Sequence, residues 1–466
     1  MFVDRQKELA CLDEIFARKA AQFVAVYGRR RIGKTSLLNH WLEKTAHAEG
    51  IYWVAHRSSS KILLEDFSKA VAPLLGAASD ALAFSSWDAA LSQLAALCEK
   101  KRLVVVIDEF PYLVEAAPSF SSLLQAAWDR KLSKTKIILV ACGSHYNMMR
   151  REFMQDSGPL FGRTTADILV EDIEPNQLRL FLPKYSPEQI VETFAVIGGV
   201  PKYLEMWNDS RPVIKNIEEL LLSSVTIFRQ EPMFLIQDEI PEIRTYMGIL
   251  DAIGSGQSHP KAIAEKCGIP LSHVGKYLAT LLSLGFLKRS VSIDAPDPEK
   301  SRLTYYEIKD RFLRFYFTAI RPHLPLLEQN RAGRVVEEIK AILPSYVARN
   351  GFEEICRREI AIRGDRGDLP FQPHYVGRIW NRRVEVDVAA VDDKSKSVLL
   401  GECKWTDRAV GEEILNELRR KLELLPGLSS YKAHFALFSK SGFTSPLAKK
   451  AAREGIFLFG KKNITL

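Results

Sequence analysis

No run of about eighteen apolar residues occurs in the chain, so no membrane-spanning helix is expected. The six cysteines, Cys11, Cys98, Cys142, Cys267, Cys356 and Cys403, form no CxxC pair and no zinc spacing. That excludes a disulfide framework and fits a reducing compartment. The opening segment "MFVDRQKELA" is charged and lacks an apolar h-region, so it does not read as a signal peptide. Internal repeats and low-complexity tracts are also missing, which argues against solenoids and broad disorder. A cytoplasmic protein with no membrane partner is therefore the expectation. What is present is ordinary for folded protein: 466 residues, 47% hydrophobic and 26% charged. Such a length predicts several domains. The net charge of +8 mildly favours a polyanionic partner.

The first part alternates short apolar strands with helical stretches. "FVAVYG", "GIYWVAH", "RLVVVIDEF", "KIILVACGS" and "TADILVED" read as strands, and "GKTSLLNHWLEKTA" and "DALAFSSWDAALSQLAALCEKK" as helices. Continuously apolar strands separated by helices predict a mainly parallel sheet covered on both faces.

"GRRRIGKTS" follows the first of these strands and opens a helix. It fits G-x-x-x-x-G-K-[ST] over Gly28, Arg29, Arg30, Arg31, Ile32, Gly33, Lys34, Thr35 and Ser36. A loop that wraps a triphosphate with backbone N–H groups needs glycine at tight points. Lys34 supplies charge to the β- and γ-phosphates, Thr35 a hydroxyl to magnesium, and the helix its positive end. Asp108 and Glu109 follow the apolar residues of "LVVVIDEF". Asp108 suits a water-bridged magnesium, and Glu109 suits orienting the attacking water. The plainer alternative for this acidic pair is a solvated strand end.

With those residues in place, the N-terminal half resembles the prokaryotic archaeal-type P-loop ATPases of the AAA+/STAND lineage, with an ASCE-type sheet. "FVDRQKELACL" is similar to that family's opening box, so the resemblance sets Arg5 near the nucleotide base, with Glu8 in register. "LVACGS" resembles the strand whose polar end senses the γ-phosphate, which gives Ser144 that role. "PLFGR" resembles a P-L-[YF]-G-R segment and makes Arg163 a candidate phosphate-sensing or finger arginine. "GGVPKYL" resembles the G-x-P element of the helical lid. The alternatives are a helix cap for Ser144, a surface ion pair for Arg163 and a helix break for Pro201.

Further along, "EPNQLRLFLP", "SPEQIVETFAVIGGVPKYLEMW" and "PVIKNIEELLLSS" predict a small helical lid. Three helices and two strands then follow in the order of a winged helix-turn-helix. Its recognition helix would be "LSHVGKYLATLLSLG", showing Ser272, His273 and Lys276, with Lys288, Arg289 and Arg302 near the wing for phosphate contacts. Docking to DNA and use as a domain spacer both remain open.

The last part contains "VEVDVAAVDDKSKSVLLGECKW". It reads as two strands and a turn, with Asp387 and Glu402 fifteen residues apart. On adjacent antiparallel strands these two carboxylates meet at one edge. Glu402 and Lys404, two apart, share a face. Carboxylates brought together repel unless a cation joins them, and oxygen ligands suit magnesium or manganese. A lysine beside such an ion can stabilise phosphate charge. A hairpin with exposed charges is the plain alternative. The D-(x)n-E-x-K pattern and the flanking helices resemble the PD-(D/E)xK nucleases, although "VEVD" lacks the proline of that name. The resemblance implies a helix glutamate in the metal site, and Glu353 in "GFEEICRREIA" fits best.

The predicted architecture is α/β multidomain. It comprises a P-loop ATPase core (1–175), a helical lid (176–235), a winged helix (236–312), a helical linker (313–345) and a mixed α/β restriction-endonuclease-like domain (346–466). The expected ligands are ATP and magnesium, with Thr35, Asp108, Glu353, Asp387 and Glu402 as metal ligands, and Glu109, Arg163 and Lys404 as catalytic groups. DNA is the expected macromolecular partner, and nucleotide-dependent self-association is a further expectation. The competing functions are an ATP-regulated nuclease, an ATP-driven binding switch that does not cut, and a regulator that assembles on binding its ligand.

Overall fold

A computed structural model describes every residue except 1, 45–48, 80–81, 241, 296, 298, 302–303, 462 and 465–466. Arg302 therefore lies outside the described residues. Two compact units result: residues 1–172 with 200–202, and residues 173–199 with 203–466.

The first unit holds a five-stranded sheet in the order β2-β3-β4-β1-β5. The strands are β1 (Gln22–Tyr27), β2 (Glu49–Val54), β3 (Leu103–Asp108), β4 (Ile138–Gly143) and β5 (Ala166–Leu169), all parallel. These are the five strands expected from the sequence. β3 and β4 are buried along their whole length because helices cover both faces, which is why they read as unbroken apolar runs. Phe23, Val105, Leu139 and Trp128 belong to the core on one face, and Val24, Leu38, Trp41 and Val140 to that on the other. β4 lies between β1 and β3, so its C-terminal end comes between the phosphate loop and the acidic end of β3.

The second unit begins with short helices. Pro187–Ile197 is the best defined: Ser186 and Gln189 close a reciprocal capping box at its start. This helix packs on Arg311–Phe315, with the Arg311 guanidinium 3.9 Å from the centre of the Phe194 ring. Helices Arg244–Gly254, Pro260–Cys267 and Leu271–Ser283 follow, then a hairpin of β6 (Leu287–Val291) and β7 (Thr304–Ile308). Val274, Leu278 and Leu281 bury one face of the third helix, leaving Ser272, His273 and Lys276 exposed. Helix Ala332–Val347 runs through a π turn at Ala348–Phe352 into helix Glu353–Arg366, with no loop between them. A Cβ on Gly351 would stand 2.8 Å from the Ala195 methyl, so that turn presses on helix Pro187–Ile197.

The second sheet runs β12-β11-β10-β9-β8. β8 (Tyr375–Trp380), β9 (Glu385–Asp392) and β10 (Ser397–Lys404) form an antiparallel meander, and β11 (Lys432–Ser439) and β12 (Phe457–Phe459) add in parallel. Helix Glu353–Arg366 packs on β8 and β9, and helix Glu412–Glu423 on β9, β10 and β11.

Candidate functional site

The phosphate loop owes its shape to its glycines. A Cβ on Gly28 would come within 2.4 Å of the Val170 carbonyl oxygen, and Gly33 holds φ +92°, so both positions require glycine. Lys34 is buried and its Nζ donates to the carbonyls of Gly28 (3.0 Å) and Arg29 (3.1 Å). Burial lowers the pKa of this ammonium, against the pull of Cys142, Glu109 and Asp108. A phosphate here would replace two neutral acceptors with a charged one.

Thr35 Oγ1 donates to Asp108 Oδ2 at 2.8 Å. The same oxygen accepts the Tyr52 hydroxyl, and Asp108 Oδ1 accepts the Glu109 N–H at 2.9 Å. Burial, then Asp108, push the Tyr52 hydroxyl far above its usual range. Tyr52 was not singled out from the sequence, because a tyrosine in a strand carries no mark of its partner. Glu109 sits in the left-handed region (φ 52°), and its carboxylate accepts the Ser144 hydroxyl at 3.0 and 3.3 Å. Strained backbone of this kind gathers at working sites.

Arg5 is buried beside the phosphate loop. Its guanidinium donates to the Ile32 carbonyl (2.8 Å), the Glu171 carbonyl (2.7 Å) and Glu8 (3.0 Å), which ties the opening box to the phosphate loop. Arg163 forks over Asp129, with Nε at 3.0 Å and Nη2 at 2.9 Å. Pro201 of the G-x-P element stands 3.8 Å from a Cβ placed on Gly33. The donor set of Thr35 and Asp108 is hard oxygen, within hydrogen-bond reach, and fits magnesium.

On the wing, Lys288 pairs with Glu307 at 3.3 Å, and Arg289 donates to the carbonyls of Glu299 and Ser301. These contacts tie both side chains to the hairpin and to the turn that joins its strands.

A second acidic cluster lies in the C-terminal sheet. The β9–β10 register pairs Val388 with Gly401, which brings the next residues, Asp387 and Glu402, opposite one another. The Cys403 N–H donates to Asp387 at 2.9 Å. Burial, then the charge of Glu402, raise the Asp387 carboxyl to about 6. Burial, then Asp387, raise Glu353 to about 7, with Arg378 and Arg357 opposing. Asp387 thus feels the charge of Glu402, and Glu353 that of Asp387.

Glu402 is held on both sides: Lys404 Nζ reaches Oε1 at 2.9 Å and Lys421 Nζ reaches Oε2 at 2.7 Å. Lys421, on helix Glu412–Glu423, escaped the sequence reading because nothing local distinguishes it from the other charges of that helix. Among the described residues no group of three or more histidine, cysteine or acidic side chains stands in metal-holding geometry. The chemistry of these oxygens suits a hard cation, but their arrangement here fits one only in part, so no reaction step is derived through a metal at this cluster.

Residues 2–207 match the family described as an ATPase domain predominantly from Archaea. The uncharacterized protein MJECL04 of Methanocaldococcus jannaschii is 32% identical over 448 residues, spanning 94% of this chain and 96% of that protein. The chain belongs to this family of archaeal-type P-loop ATPases. Residues 247–290 match the IclR helix-turn-helix domain, and residues 316–417 match archaeal and bacterial proteins of unknown function. A shorter likeness, 44% over 43 residues, is to the uncharacterized ATP-binding protein MJ0423 of the same organism, covering 9% of this chain and 73% of that protein. Among solved structures, the Walker-type ATPase PABY2304 of Pyrococcus abyssi aligns with TM-score 0.52 at 18% identity, over 68% of this chain and 96% of that one. At that identity the likeness shows the fold alone. The protein is thus an ATPase with a helix-turn-helix domain.

Proposed function

We propose that ATP binding and hydrolysis in this protein control a nucleic-acid-binding half that carries a nuclease-like domain. Lys34 and the backbone of residues 28–36 hold the triphosphate, and Arg5 keeps the loop in shape from behind. Magnesium, held by Thr35 and Asp108, would neutralise charge between the β- and γ-phosphates. Ser144 has one hydroxyl proton and now gives it to Glu109. A γ-phosphate oxygen is a competing acceptor. When Ser144 turns to it, Glu109 is released to orient the attacking water. Ser144→Ala should therefore leave nucleotide affinity in place and change turnover, and a variant with wild-type turnover would remove this coupling. Arg163, paired with Asp129, serves as a finger only toward a neighbouring copy. Mass measurement with and without ATP tests that role, and a monomer in both states argues against it.

The observation that carries the nuclease-like reading is the opposition of Asp387 and Glu402, with Glu353 raised by the charge of Asp387 and Lys404 alongside. Element order supports it too: a helix, three antiparallel strands, a second helix, then a parallel strand. With magnesium or manganese, Asp387→Ala or Lys404→Ala should abolish cutting of DNA or RNA and spare ATP turnover. Unchanged cutting in either variant sinks the reading. A second reading, a nuclease fold that binds without cutting, is favoured by the two lysines that occupy Glu402. It requires wild-type protein to cut nothing in any nucleotide state.

A further inference from the structure

A cavity of about 680 Å³ opens in the second unit, between the winged-helix hairpin and the first strands of the C-terminal sheet. Arg314, Arg349, Arg382 and Arg383 line it, together with Tyr305 and Trp380. Its two glutamates already have cations of their own. Glu307 is paired with Lys288 at 3.3 Å, and Glu385 is bonded by Arg378. The arginines are less committed. Arg349, Arg382 and Arg383 are exposed and make no ion pair among the described residues. Arg314 is buried and fixed in the wall through Nε to the Ile308 carbonyl (2.6 Å) and Nη1 to Asn350 (3.2 Å), and its charge also acts on Glu307 and Glu354. Unpaired guanidinium groups around a recess select a ligand with several anionic oxygens.

The aromatic wall narrows the choice. Tyr305 and Trp380 stand 4.8 Å apart, tilted by 53°, and both line the recess with the arginines. Phosphate charge next to a flat ring is the chemistry of a nucleotide. The volume is that of a small-molecule site, about 300–1,000 Å³, and too small for a duplex. A single strand with its bases unstacked can enter it. The cavity also leads somewhere. Arg378 donates to the Tyr305 hydroxyl at 2.5 Å, while its buried Nε, which has no hydrogen-bond partner, stands 3.8 Å from Glu353. One residue therefore joins the aromatic wall to the acidic cluster.

We propose that this cavity holds a segment of single-stranded nucleic acid, with the arginines on its phosphates and Tyr305 or Trp380 against a base, and passes the backbone toward Glu353 and Asp387. The direction of passage rests on the nuclease-like reading; the binding does not.

The test uses full-length protein and a fluorescein-labelled oligothymidylate, read by anisotropy over a salt series. Arg382→Glu combined with Arg383→Glu should weaken binding at least about ten-fold and reduce the slope of log affinity against log salt by about 1.4, about 0.7 for each lost phosphate contact. Tyr305→Ala should weaken it by about ten-fold with the slope unchanged. ATP turnover of each variant reports that it has folded. Wild-type affinity and slope in the double arginine variant overturn the proposal. Thymidine monophosphate is the competing source of the same chemistry. Displacement of the probe by unlabelled oligothymidylate alone supports a strand, and equal displacement by the monophosphate overturns it. Lys276→Glu on the recognition helix should not affect the oligothymidylate; loss there instead of in the arginine variant also overturns the cavity. The nuclease-like reading fails separately: if nothing is cut but the arginine variant still loses binding, the cavity stands without that reading.

Discussion

The phosphate-loop site and the C-terminal acidic cluster both bury carboxylates at strand ends, but they satisfy them in opposite ways. Asp108 accepts from Thr35, Tyr52 and the Glu109 N–H, so its charge is matched by donors on three sides. Asp387 has one backbone donor and faces the charge of Glu402, and Glu353 faces Asp387 in turn. The first site is organised for its substrate in advance, as electrostatic preorganisation requires. The second stores repulsion that a cation, a proton or a lysine must relieve. Two neighbours on one helix make the contrast sharper. Glu353 is raised to about 7, whereas burial of Glu354 is overcome by Arg311 and Lys288, which hold it down to about 2.

Variants can break this comparison from either side. The largest effect belongs to Lys34→Ala, which removes the buried ammonium from the loop's backbone cradle. ATP turnover, followed as phosphate release, should fall about 10²–10³-fold, and a fall of less than ten-fold denies Lys34 its place at the phosphates. Next is Lys421→Met, which leaves Glu402 with one of its two cations in a buried setting. Chemical denaturation should show a loss of about 3 kcal/mol, since breaking one side of a buried pair strands the other. A neutral result would mean that Lys404 alone satisfies Glu402. Tyr52→Phe takes one donor from Asp108 and should cost about 2 kcal/mol, as for a hydrogen bond to a charged group. That loss should appear in thermal unfolding and be partly recovered on adding magnesium and nucleotide.

Much of this was readable from residue order, and the reason is physical. The five strands of the first sheet announce themselves because burial on both faces demands apolar runs. The loop is legible because glycines and a lysine at fixed spacing have few other uses. The opposition of Asp387 and Glu402 followed from a short turn and strict alternation. What could not be read were partners brought from elsewhere: Tyr52 on β2, Lys421 on a later helix, and Arg378 between a hairpin and Glu353. Sequence gives a charge its position, but the fold decides what it faces.

The smallest effect is the most direct measure of the stored repulsion. Glu353 has a folded pKa of about 7 against an ordinary carboxyl value of 4.5, and Asp387 about 6 against 3.8. Both are raised, so below about pH 4 each is protonated in folded and unfolded chains alike and exacts no penalty. Between there and about pH 7 the unfolded chain releases these protons while the folded chain retains them, so stability falls as pH rises. Above about pH 7 the penalty is complete. Glu353→Gln removes the helix carboxylate while keeping its shape. The variant should therefore gain stability over wild type at pH 8, and the gain should vanish near pH 4. If magnesium occupies the cluster, adding it at pH 8 should raise the wild-type unfolding temperature and leave that of Glu353→Gln nearly unmoved. A difference between the two proteins that does not depend on pH would show that Glu353 is merely packed there, and that the acidic cluster stores no repulsion for a cation to relieve.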